Sequence, residues 1–355
     1  MWRSGPSMRV LISGNLGYIG PVMVDLFKQA GHHVTGFDTG YFEECLVPDG
    51  RRLAPPDRQI LCDIRKVEPE HLDGADAVVH LAGLSNDPMG ALDPGLTERI
   101  NTGGTRRLAN LARECGVGRF VFASSCSIYG AAADGGLLDE QAPFNPVSAY
   151  AVSKVAGEDV LRELAAPGFS PVFLRNATAF GVSPRMRFDL VLNNLMGWAW
   201  TTGEIRVLSD GTPWRPLVHI EDISRAALAA VTAPADAIHA QAFNIGRADA
   251  NYQVRDIALA VGRRQPEATV SFTGETVNDP RSYRVDFTKA LTKLPGFEPY
   301  WTLERGCEEL CSWLSAGSLA GRDFQSRLFI RLKQLQHRME KGELDADLQL
   351  LPPSV

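Results

Sequence analysis

The sequence predicts a doubly wound α/β protein: a parallel sheet with helices on both faces, and a smaller mixed α/β lobe laid against it. Three observations predict this. Short β-rich runs alternate with helical stretches through the first half. Those runs read as continuous apolar strings, as strands buried on both faces do. After residue 180 the alternation gives way to segments punctuated by proline.

Residues 8–13 form the first strand and 20–30 the first helix. Further strands follow at 33–37, 59–62, 77–81 and 120–124, with a helix at 104–114 before the last of them. Stretches 171–175 and 242–245 are also strand-like and can join the same sheet. Pro184, Pro213, Pro216, Pro266, Pro280, Pro295 and Pro299 interrupt the later half, because proline lacks the N–H that helices and sheets need. The expected organisation is a sheet domain over 8–180 with a return of the chain at 218–248, and a lobe from 181–217 and 249–315. Residues 316–355, rich in Arg, Lys, Glu and Leu, read as a solvated terminal helix.

With 355 residues the chain can form one large domain or two closely packed ones. An apolar fraction of 45% and a charged fraction of 22% are ordinary for a globular protein. The formal charge of −6 lacks the basic excess of a nucleic-acid binder. No apolar run is long enough to span a bilayer, and MWRSGPSMRV has no apolar leader core, so a cytoplasmic location is expected. Cys307 and Cys311 lie one helical turn apart, but no second Cys or His pair stands at ligand spacing. The cysteines are therefore read as small buried hydrophobes, and no metal is expected.

Ser13-Gly14-Asn15-Leu16-Gly17-Tyr18-Ile19-Gly20 follows the first strand and opens the first helix with G-x-x-G-x-x-G spacing. Glycines in such a turn let backbone N–H groups approach a pyrophosphate at the helix N-terminus. Eighteen residues beyond Gly20, Asp38 ends the second strand. Its carboxylate suits both ribose hydroxyls of an adenosine and repels a 2′-phosphate, with no Arg or Lys in the next ten residues to counter it. The turn therefore favours NAD over NADP. Asp63 and Ile64 follow the third strand, within reach of an adenine, and Leu81-Ala82-Gly83 ends the fourth beneath the cofactor.

Tyr150 and Lys154 are four residues apart, on one face if the segment is helical. A free tyrosine, with a pKa of about 10, is a poor base at neutrality. A neighbouring ammonium favours the phenolate, which can then take a proton from a hydroxyl. Between the glycine turn and this pair lies ASSCSIYG, residues 123–130, a strand end crowded with hydroxyls. Either they cap the strand or they face a substrate.

In this order, the four features resemble the extended short-chain dehydrogenase/reductases, the NAD-dependent nucleotide-sugar epimerase/dehydratase family with UDP-galactose 4-epimerase. The resemblance covers roughly residues 8–315 and implies a Rossmann-type fold with bound NAD. It implies Ser125 as the catalytic hydroxyl, with Ser124 as the alternative, and Tyr150 as acid/base. Lys154 would also hold the nicotinamide ribose. Asn101 matches a position that supports the active site from a helix.

Dehydratases of the family carry Asp-Glu directly after the catalytic threonine; here Cys126 and Ser127 stand there. That argues for the epimerases, which pass through a transient 4-keto sugar. Arg215 and Arg281 match phosphate-binding arginines, a surface salt bridge being the alternative for each, and Asn194 matches an asparagine on the diphosphate. Asn176 and Thr178 match a segment near nicotinamide and sugar, although epimerases usually place Asn at the Thr178 position. Ser85 and Asn86 stand where some epimerases carry a lysine. The resemblance also implies a nucleotide-diphosphate sugar as substrate and a homodimer through helices near 104–114 and 150–165. Two other readings remain: a nucleotide-sugar reductase or dehydrogenase with exchangeable NAD(P)H, and a non-catalytic dinucleotide sensor.

Overall fold

The computed structural model describes residues 6–47, 50–85, 93–130, 136–275 and 282–352. In chain order its elements are β1 (Arg9–Ser13), α1 (Gly20–Gln29), β2 (His33–Asp38), β3 (Arg58–Leu61), β4 (Ala77–His80), α2 (Pro94–Thr97), α3 (Gly104–Glu114), β5 (Arg119–Ser125), β6 (Leu137–Leu138), α4 (Ala149–Leu164), β7 (Ser170–Asn176) and β8 (Thr178–Phe180). There follow α5 (Val191–Thr202), β9 (Glu204–Val207), β10 (Trp214–His219), α6 (Ile220–Thr232), α7 (Ala235–Ile238), β11 (Gln241–Ile245), β12 (Asn251–Gln253), α8 (Val254–Arg264), β13 (Thr269–Phe272), β14 (Arg284–Val285), α9 (Thr288–Lys293), α10 (Leu303–Ser315) and α11 (Arg331–Glu340).

Seven strands form one parallel sheet in the order β11-β7-β5-β4-β1-β2-β3. The central strands β4 and β7 are buried along their whole length, as the unbroken apolar runs require. Alternate side chains feed two cores. Val10 and Ile12 of β1 pack with Met23, Val24 and Phe27 of α1 and with α6. Leu11, between them, packs to the other side with Leu108 and Ala112 of α3 and Leu161 of α4. Edge strand β3 is mostly exposed. The strand-like stretches late in the chain do enter the sheet: β7 pairs with β5 and β11 with β7.

From β1 the chain winds outward through β2 and β3, then crosses to β4 and continues outward the other way. The strand order reverses between β1 and β4, and a crevice opens there at their carboxyl ends. Arg187, Leu190 and Tyr283 of the smaller lobe line it. The lobe holds the three-stranded β12-β10-β8 sheet and the β9–β13 pair. Phe188, Leu195 and Met196 meet Ile257 and Val261 of α8 and Leu310 of α10 in its core.

Residues 316–352 are not a solvated helix. Only Arg331–Glu340 is helical. Phe324 and Phe329 are buried in the lobe's core, and Leu335, Leu344 and Leu348 in the sheet's. The Tyr41 hydroxyl donates to the Leu348 carbonyl. The cysteine reading also needs one correction: Cys45, Cys126 and Cys307 are buried, but Cys115 is exposed. Among the described residues no helix is long and apolar enough to cross a membrane, and no cluster of three metal-ligating side chains occurs.

Candidate active site

The crevice is a cavity of about 300 Å³. Gly14, Gly17, Tyr18, Ile19, Gly20, Asp38, Asp63, Ile64, Leu81, Ala82, Gly83, Ser85, Ser124, Ser125, Ser127, Tyr150, Lys154, Asn176 and Thr178 all line it.

At one end the turn after β1 packs hard against the end of β4. A Cβ at Gly14, whose φ is +76°, would lie 2.7 Å from the Ala82 backbone nitrogen. Helix α1 is preceded by Ile19, which offers no side-chain cap, and has proline in its first turn. Its leading N–H groups are thus left to an anion. Beneath the crevice His80 joins β4 to its surroundings, 2.7 Å from Ser13 Oγ and 2.9 Å from Thr105 Oγ1. Burial holds its imidazole down to about 3, so this ring is neutral.

Asp38 accepts from Leu16 N at 3.0 Å through Oδ2 and from Gly40 N at 2.9 Å through Oδ1. Burial pushes its carboxyl up while these donors pull it down. Asp63 is engaged by Arg65 Nε at 3.0 and 3.1 Å and by Gln349 Nε2 at 3.4 Å. Turn, uncapped helix and ribose-side carboxylate fit a dinucleotide diphosphate with its adenosine.

Helix α4 carries the acid–base pair. Ser148 caps it, its side chain accepting from Ala151 N at 3.2 Å, which fixes Tyr150 in the first turn and Lys154 one turn on. Gly157 lets this helix lie close to β5; a Cβ there would meet the Phe122 ring at 2.6 Å. Lys154 Nζ donates to Ala123 O at 2.7 Å and lies 5.6 Å from the Tyr150 ring centroid. Burial pushes its ammonium down to about 8, with Glu158 opposing, so it is charged at neutrality.

The hydroxyls of β5 divide their roles. Ser124 Oγ donates to the buried Glu158 at 2.6 Å. Glu158 in turn binds Arg175 at 2.7 and 2.9 Å. Ser125 Oγ accepts from Ser127 N at 3.1 Å and also lines the cavity, so it both caps and faces the site. Ser127 Oγ and Asn176 Oδ1 are buried without a hydrogen-bond partner while lining the same cavity. Buried polar atoms in this state are offered to a ligand.

Four of the expected site residues lie off the cavity wall. Asn101 sits in a wide π-helical turn, Glu98–Gly103. It clamps both backbone groups of Leu84, at 2.8 and 3.1 Å, and donates to Ser153 Oγ at 3.0 Å, so it braces the wall from behind. Cys126 is fully buried with its thiol on the Arg175 carbonyl, 3.1 Å away. Asn194 turns back to the Phe188 carbonyl at 2.8 Å. Arg215 on β10 donates to the Trp214 carbonyl at 3.0 Å. Asn86 and Arg281 lie outside the described residues. Among the cavity residues that the sequence does not single out are two arginines. Arg187 is paired with Asp189 at 2.8 Å and contacts Ser85 Oγ at 3.1 Å. Arg331 comes from the C-terminal segment. For Arg187 the signal was present, since a guanidinium two residues before an acid can fold back on it; Arg331 had none.

The model of the NAD dependent epimerase/dehydratase family matches residues 10–246. The uncharacterized UDP-glucose epimerase YtcB of Bacillus subtilis is 26% identical over 324 residues, 87% of this chain and 98% of its own. A UDP-glucose 4-epimerase of Mycolicibacterium smegmatis is 29% identical over 84% of this chain and 96% of its own. MoeE5, solved in complex with UDP-glucuronic acid and NAD, superposes with a TM-score of 0.74 at 26% identity, over 87% of this chain and 99% of its own.

Proposed function

Since the chain belongs to the NAD-dependent epimerase/dehydratase family, we propose that it is a nucleotide-sugar epimerase that inverts C4 of a sugar carried on a nucleoside diphosphate. Its cofactor is NAD. The observation that carries the reading is that Ser125, Tyr150 and Lys154 face the same cavity as the uncapped start of α1 and Asp38.

Bound NAD would accept hydride from C4 and return it. The protein's own residues handle the proton and the geometry. Tyr150 takes the proton of the C4 hydroxyl as the 4-keto sugar forms and gives it back afterwards. The charged Lys154, one turn away, favours the phenolate. Ser125 Oγ holds the reacting oxygen in line with Tyr150. Ser127 Oγ and Asn176 Oδ1, both lacking partners, hold sugar hydroxyls, and Arg187 stands ready at the same wall. The freed keto sugar must turn over in the cavity before hydride returns to its other face.

Elimination of water has poor support at the residue after Ser125. Cys126 is buried, its thiol pushed up by burial, and it points away from the cavity. It can serve neither as acid nor as base for a sugar. A homodimer belongs to the proposal as well, through α3 and α4, where Val152 is 52% exposed.

The test pairs cofactor content with turnover. Freshly purified protein should release close to one NAD per chain on denaturation and should interconvert a UDP-hexose with its C4 epimer without added nucleotide. Tyr150→Phe should keep the NAD and lose about 10²–10⁴-fold in rate. An empty protein, or an undiminished Tyr150→Phe, would sink the reading.

A further inference from the structure

Arg331 opens helix α11, far beyond residue 246 where the family match ends. Its side chain is 2% exposed and it lines the cavity. Its hydrogen bonds go to two backbone carbonyls, Arg185 O at 2.6 Å and Leu328 O at 3.5 Å, and its guanidinium lies 4.8 Å from the Phe42 ring centroid. Among the described residues it has no carboxylate partner. The carboxylate whose charge acts on it, Asp189, is already bound to Arg187. Arg185 and Arg187 add like charge beside it, and the Cys45 thiol, pushed up by burial, is neutral. Burial pushes the Arg331 guanidinium down to about 10, which still leaves it charged at neutrality. A buried, charged, planar donor without a counter-ion is unfavourable until an anion meets it, and a phosphate oxygen matches its fork.

The rest of the segment lies on the cofactor's side of the cavity. Arg185, whose backbone Arg331 holds, donates to the Phe42 carbonyl at 3.3 Å and feels the charge of Asp38. The Leu348 carbonyl accepts from Tyr41, the Asp347 carbonyl accepts from Arg65 at 2.8 Å, and Gln349 reaches Asp63. The segment is therefore laid along the adenosine end of the crevice.

We infer that Arg331 is a ligand of the diphosphate of bound NAD, and that the C-terminal segment is thereby part of the cofactor site. NAD supplies the anion that the buried guanidinium lacks, and the segment holds NAD in place between turnovers. The inference rests on the cofactor alone and is independent of which sugar reaction follows.

The test compares Arg331→Met with the wild type after NAD is stripped. Affinities are measured for NAD, ADP-ribose, adenosine, NADP and UDP, with the melting temperature of the stripped proteins as a second readout. NAD and ADP-ribose should weaken by about 30-fold or more, the loss expected when one partner of a buried charge pair is truncated. Adenosine, which has no phosphate, and UDP should change by less than about twofold. The stripped variant should melt no lower than the stripped wild type, because it loses a charge that had no counter-ion. Unchanged NAD affinity overturns the inference. So does an equal loss for adenosine, which would mean general distortion. A loss confined to UDP would assign Arg331 to the substrate's diphosphate, and one confined to NADP to a 2′-phosphate; either overturns it. If Arg331→Met does not fold, Arg331→Lys carries the comparison. It should weaken NAD about tenfold and leave adenosine alone, and equal losses for both overturn the inference.

Discussion

Replacing Lys154 by Met should abolish turnover and, at neutral pH, stabilise the cofactor-free protein. Lys154 is 6% exposed, and burial pushes its ammonium from the usual 10.5 to about 8. The folded state therefore disfavours the charged form by about 3 kcal/mol at pH 7. Met fills similar space without charge. It forfeits the hydrogen bond to Ala123 O, worth about 1 kcal/mol, so the net gain is about 2 kcal/mol. The sign follows from proton counting. Below pH 8 folded and unfolded lysine are both charged and the full penalty is present. Between about 8 and 10.5 the unfolded chain binds more protons, so wild-type stability rises with pH and the penalty fades. Urea unfolding of both stripped proteins from pH 7 to 10 reads the difference directly. It should start with Lys154→Met ahead by about 2 kcal/mol and end with the two proteins about level, because at pH 10 roughly 1 kcal/mol of the penalty remains and offsets the lost hydrogen bond. A variant already less stable at pH 7, or a difference that ignores pH, would refute the burial argument.

Two further outcomes are expected. Gly14→Ala should yield a folded protein depleted of NAD, since its Cβ would sit 2.7 Å from Ala82 N at a φ of +76°, at a strain of about 1–3 kcal/mol; nucleotide released on denaturation checks it. Glu158→Gln breaks a buried pair with Arg175 and should cost about 3–5 kcal/mol in urea unfolding, because the amide keeps one acceptor oxygen, which Ser124 can still use, but turns an NH2 toward the guanidinium.

Much of the fold was legible because its signals are local. β4 and β7 show as apolar runs, since a strand covered on both faces has no polar side to display. The glycine turn shows because Gly14 cannot carry a side chain beside Ala82. Tyr150 and Lys154 show because one helical turn separates them. The C-terminal segment is hard to read because its apolar anchors, Phe324, Phe329, Leu335, Leu344 and Leu348, are spread thinly among polar residues, and two further anchors, Arg331 and Gln334, are buried yet have the composition of a surface helix. Their burial comes from partners such as Arg185 and Arg327, and for Arg331 that partner is 146 residues away, a distance no window of sequence spans. Cys126 and Asn194 were placed at the ligand for a related reason. Their positions in the chain are adjacent to the site, but their side chains are taken by the Arg175 and Phe188 carbonyls.

The central claim is that hydride leaves C4 and returns to the same carbon with no net redox change. The most direct measurement is to incubate the purified protein, without added nucleotide, with a UDP-hexose deuterated at C4, and to follow the sugar by NMR and absorbance at 340 nm. The C4 epimer should form with its deuterium retained, and no reduced nicotinamide should accumulate. Deuterium lost to solvent, or a sugar product formed only with stoichiometric NAD(P)H consumed or produced, would contradict it.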